Sequence, residues 1–70
     1  MNKEQELRLA LLRNDNTFLE ELDMLLEVEE LSDADIARNL RIKHREYKQK
    51  AFDLKQNSGL SYLEIIKAGL

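Results

Sequence analysis

Seven cationic side chains, Arg38, Arg41, Lys43, Arg45, Lys48, Lys50 and Lys55, fall within eighteen residues, interrupted only by Glu46 and Asp53. Arginine and lysine at this density form the electrostatic footprint of a phosphate-binding surface. His44 and Gln49 stand among them. Glutamine suits the edge of adenine, and arginine or lysine suits guanine O6 and N7. For double-stranded DNA this makes Lys43, His44, Arg45, Lys48 and Gln49 candidates for base edges, with Arg38, Arg41, Lys50 and Lys55 on the backbone. His44 also has a plainer reading, as a surface histidine.

The cations are one side of a charge split. Residues 1 to 37 carry three basic and eleven acidic side chains, a balance of −8, whereas residues 38 to 70 carry eight basic and three acidic, a balance of +5; together they give the net −3. Such a split also suits pairing of the basic segment with the acidic half, inside the fold or across a dimer. It equally suits an acidic protein-binding helix over residues 17 to 30.

Other chemistry finds no footing, so the expectation is no enzyme, no catalytic residue and no cofactor. With no cysteine and a single histidine there is no thiol nucleophile and no spacing that would hold zinc. No glycine-rich phosphate cradle or nucleophile elbow occurs. The four aromatics, Phe18, Tyr47, Phe52 and Tyr62, are spaced singly, as core or interface anchors are, rather than as a stacking platform for single strands. Apolar runs are too short to span a bilayer, and MNKEQELR lacks the apolar core of a signal peptide, so the expected setting is cytoplasmic, without a membrane partner.

The elements that position these residues should all be helices. The chain has no proline, two glycines, one valine and 36% charged residues, a composition that favours helix over alternating strands. A core of this size contributes only roughly 3 to 5 kcal/mol of net stability, which allows one domain and makes a homodimer a natural expectation. The reading is an all-α domain of four to five helices over residues 1 to 70.

Start and stop signals set the expected boundaries. Asn2 can cap a first helix over about 3 to 13, with Leu7, Ala10 and Leu11 on one face, ending at Arg13-Asn14-Asp15-Asn16. Thr17 with Glu20 has capping-box spacing and opens a second helix to about Glu30, whose apolar set is Phe18, Leu19, Leu22, Leu25, Leu26 and Val28. Ser32 caps the next, with Asp33 and Asp35 in its first turn. Asn57-Ser58-Gly59 is a stop, and Ser61 opens a short helix to about Ala68, closed by Gly69.

Between Ser32 and Asn57 two readings compete. One helix would align Ile36, Leu40, His44, Tyr47, Ala51 and Leu54 on a seam and leave Ile42 facing water, about 240° round from Ile36. A turn near Arg41 would instead bring Ile36, Ala37, Leu40, Ile42 and Tyr47 inward.

The run LEVEELSDADIARNLRIKHREYKQKAFDL, about 30 of the 70 residues, resembles the helix-turn-helix of the sigma-factor C-terminal promoter-reading region and related small bacterial or phage regulators. Leu31-Ser32 match its opening, Asp35-Ile36-Ala37 its acid-apolar-alanine step, Leu40 and Ile42 the residues flanking the turn, and Tyr47, Lys50 and Ala51 the second arm. The resemblance implies a helix-turn-helix over about 32 to 56 and a small sequence-specific DNA-binding transcription regulator, acting as a dimer. Two positions depart from it: Arg41 stands in the usual glycine place, and Lys43 replaces the serine or threonine that would cap the second arm. The alternative is an acidic helical module that binds a partner protein and does not read DNA.

Overall fold

The structure, a computed structural model, describes residues 2 to 70, and among these the secondary structure is helical throughout. α1 spans Lys3–Leu26, α2 Asp33–Gln56 and α3 Tyr62–Lys67. The all-α expectation is therefore met, but with three helices rather than four to five. Both extra breaks disappear for physical reasons.

The first missing break is the one placed at Arg13-Asn14-Asp15-Asn16, which lies inside α1. Asparagine and aspartate weaken helices because their side chains compete for nearby backbone groups. Here those side chains are engaged elsewhere: Asn14 Nδ2 donates to the Tyr47 carbonyl at 3.1 Å, and Asp15 Oδ1 accepts from the Tyr47 hydroxyl at 2.6 Å. With the competing groups drawn to α2, nothing stops the helix, and Thr17 is an interior residue rather than a cap.

The second missing break is the turn near Arg41. α2 runs unbroken through it, and no non-glycine residue has a positive φ among the described residues. Arginine cannot take the left-handed conformation cheaply, and the neighbouring residues are acceptable helix formers. Residues 32 to 56 thus form one capped helix, not two arms. Ala37 and Ile42 are exposed rather than turned inward, as the one-helix reading required of Ile42.

The remaining boundaries follow their caps. Asn2 and Gln5 make a reciprocal capping box, as do Ser61 and Glu64, and the Ser32 hydroxyl accepts from the Asp35 amide at 3.2 Å. At the carboxyl end, Gly69 takes φ 74°, its amide donates to the Ile66 carbonyl, and the Leu70 amide donates to the Ile65 carbonyl. These paired bonds are the Schellman arrangement and satisfy the last carbonyls of α3.

α1 and α2 pack as an antiparallel hairpin, since partners on α2 fall in number as those on α1 rise: Asn14 and Asp15 meet Tyr47, Phe18 meets Tyr47 and His44, and Glu21 meets Lys43. α3 folds back near the start of α1, where Arg8 Nη2 donates to the Ala68 carbonyl at 3.0 Å. The molecule is elongated, 45 × 19 × 17 Å, with a radius of gyration of 15.0 Å. A compact chain of this length would have roughly 11 Å. Among the described residues only Leu7, Leu25 and Ile65 are buried, and none of them fully.

Candidate functional site

The continuous α2 fixes which cations act together. Successive residues turn by about 100°, so Arg38, Arg41, Arg45, Lys48 and Lys55, spaced 3, 4, 3 and 7, share one stripe, with Phe52 filling the gap at 56% exposure. Arg38 carries the only ion pair seen in this stripe among the described residues, a 3.8 Å contact to Asp35 in the first turn.

The other four predicted residues do not join that stripe. Lys43 and Lys50 lie on the side facing α1, lining a groove with Thr17, Phe18 and Glu21, and Lys43 Nζ is 3.6 Å from Glu21 Oε2. His44 sets its ring edge-on to Phe18 at 6.1 Å. Gln49 donates to Asp53 Oδ1 at 3.0 Å one turn along its own helix. Of the nine residues, five therefore share the cationic stripe; Lys43, His44 and Gln49 have partners inside the monomer, and Lys50 lines the groove while staying exposed. The two-armed geometry that would present Lys43, His44 and Gln49 to base edges is not formed.

At the middle of the hairpin sits Tyr47. Its ring stacks on Phe18 with centroids 4.7 Å apart and planes at 26°. Its hydroxyl pKa is held above the ordinary tyrosine value, first by the hydrogen bond to Asp15, then by burial, then by the negative charge of Asp15. Glu64 moves the other way: hydrogen bonds from the Ser61 amide and hydroxyl, together with the charge of Lys3, hold its carboxyl below the usual range. These are structural roles, one in the hairpin seam and one in the α3 cap.

Sequence reasoning missed a second surface, on α1. Leu7, Leu11, Asn14, Phe18, Glu21 and Leu25 form the seam toward α2 and are buried or half-buried. Leu9, Leu12, Leu19 and Leu26 stand about 145° round the helix from that seam and are 38%, 53%, 54% and 58% exposed. Their signal was present as a seven-residue repeat, Leu12, Leu19 and Leu26. An expected break between residues 13 and 17 assigned its members to different helices.

No group of side chains suited to a metal ion, and no helix long and apolar enough to cross a membrane, occurs among the described residues. Compared with protein-family models, with curated proteins and with solved structures, the chain shows no significant match. The resemblance to the sigma-factor region rests on residues 26 to 54 alone.

Proposed function

We propose that this chain is a helical protein-interaction module, which works by packing the outer face of α1 against another protein. The observation that carries this reading is the excess of apolar surface over core. Among the described residues three large apolar side chains are buried and eleven are exposed, and the accessible surface is 5679 Å² where a compact monomer of 8.2 kDa would expose roughly 4,500 Å². An elongated hairpin with an apolar stripe along one helix is the form of a half-finished bundle.

Photo-cross-linking in cells of the source tests it. A benzophenone side chain replacing Leu19 should yield covalent adducts with protein, whereas the same group replacing Arg45 should yield none. Adducts from position 45 and none from position 19 would overturn the reading.

One observation favours DNA as a second reading: Arg38, Arg41, Arg45 and Lys48 share an exposed helix face, with the half-buried Lys55 at its end. A salt titration of binding to mixed genomic fragments tests that. A phosphate-tracking surface loses affinity steeply as salt rises, and Arg45→Ala with Lys48→Ala should abolish retention. Absence of retention at low salt would dismiss it.

A further inference from the structure

We infer that the partner of the α1 outer face is a second copy of this chain, packed antiparallel along α1; this names the occupant of the docking face proposed above and rests on that reading.

The outer face carries more than scattered leucines. Leu9, Leu12, Asn16, Leu19, Asp23 and Leu26 follow one another at spacings of 3, 4, 3, 4 and 3, the alternation of the two core positions in a coiled-coil heptad. All six are exposed. The same helix already uses its inner seam, at the same alternation, against α2. α1 is thus built to be covered on two sides, and the hairpin covers one.

The two polar residues of the stripe and the charges beside it fix the direction. In a parallel pair, each position meets itself. Asp23 would face Asp23 at the seam, and the flanks would set Arg8 against Arg13 and Asp15 against Glu20, all like charges. In an antiparallel pair centred between residues 17 and 18, Leu9 meets Leu26, Asn16 meets Leu19, and Asp23 meets Leu12. Arg13 of one copy then lies beside Glu20 and Asp23 of the other, and by symmetry this happens twice.

The free helix shows the corresponding need. Its last turn has no basic residue, while Asp23 sits there and Glu27 caps it, so negative charge lies at the negative end of the helix dipole. Arg13 and Glu20 make no ion pair among the described residues. An antiparallel copy brings the missing cation to that end.

The test uses the whole chain. Sedimentation equilibrium from micromolar to submillimolar concentration should give about twice the 8.2 kDa monomer mass. Leu19→Glu, at a side chain 54% exposed in the monomer, should weaken association by about a hundredfold or more, as expected for a charge placed in an apolar seam. Arg13→Glu should weaken it by about tenfold, the effect of reversing two surface pairs, and Arg13→Glu with Glu20→Arg should restore it.

The chain has no cysteine, so Glu6→Cys carries a single nitroxide. Its distance to its twin should be roughly 35 Å in the antiparallel pair, from a 23-residue offset at 1.5 Å per residue, and under about 20 Å in a parallel one. This measurement decides the orientation even if Leu19→Glu unfolds the chain. A monomer at every concentration, a dimer indifferent to Leu19→Glu, or a short nitroxide distance overturns the proposal. A Leu19 adduct to a different protein would overturn it while leaving the interaction reading intact.

Discussion

The hydroxyl of Tyr47 donates to Asp15 at 2.6 Å while its ring stacks on Phe18 at 4.7 Å, so one side chain of α2 holds two consecutive turns of α1. The same contact explains why Asp15 does not end the helix. It also makes the middle of the hairpin polar, and leaves the apolar anchors Leu7 and Leu25 near the two ends of α1.

Tyr47→Phe keeps the stack and removes the bond, leaving the Asp15 carboxylate without its cross-helix donor. Hydrogen bonds to charged acceptors contribute about 1.5 to 3 kcal/mol, and the half-buried setting places the expected loss near the lower figure. Urea unfolding followed by circular dichroism measures it. A variant as stable as the parent would show that the bond contributes nothing net.

The same bond predicts a loss of stability in alkali. Because the folded chain raises the Tyr47 pKa, the fold favours the protonated phenol. The contribution is complete below the unfolded value of about 10 and declines as pH rises through the higher folded value. Unfolding free energies of parent and Tyr47→Phe should therefore converge above pH 10. A constant gap from pH 8 to pH 11.5 would contradict this linkage.

Glu64 has the opposite sign. Its folded pKa is lowered by the Ser61 cap, so its contribution is present above the ordinary glutamate value and is lost as pH falls through the folded one. Glu64→Gln should flatten the acid limb of the stability curve between about pH 5 and pH 3. An unchanged acid limb would mean that the cap is not linked to the fold's stability.

Much of the fold could be read from caps. Asn2, Ser32 and Ser61 each open a helix, and Gly59 and Gly69 take φ 78° and 74° where stops were expected. Caps are local, and local physics decides them. The two false breaks had a different origin. At Asn14 and Asp15 the deciding partner is Tyr47, more than thirty residues away, and no windowed pattern contains it. At Arg41 a family-like spacing competed with plain propensity, and propensity prevailed.

The site was less legible for the same reason. All nine predicted residues lie on the basic half, but which of them share one stripe and which flank the seam toward α1 needed the phase of a single helix, which a turn at Arg41 would have reset. Leu19 and Leu26 were placed on a second helix while Leu9 and Leu12 fell in the first and went unnoticed, so their common stripe appeared only once residues 13 to 17 were helical.

Thr17 and Ser32 give a direct comparison of a false cap with a true one. Ser32→Ala should cost about 1 kcal/mol, because the Asp35 amide loses its acceptor. Thr17→Ala lies inside α1 and should change stability by less than about 0.5 kcal/mol, since alanine is the better interior residue. Thermal unfolding of the two variants measures both, and a large loss at Thr17 would point to a helix start there.

Arg41 supplies the sharpest contrast between the two readings of the central segment. In a helix-turn-helix, a glycine at this position would relieve a strained backbone and stabilise the protein. Inside a continuous helix it does the reverse, because glycine surrenders more backbone entropy than any other residue and costs about 1 kcal/mol relative to a good helix former. Arg41 is exposed and no side-chain partner of it is seen among the described residues, so little besides this backbone effect contributes to Arg41→Gly. Reduced stability together with reduced helical ellipticity is the expected result. A gain in stability would mean that the chain turns at residue 41, and that the basic segment is an arm of its own.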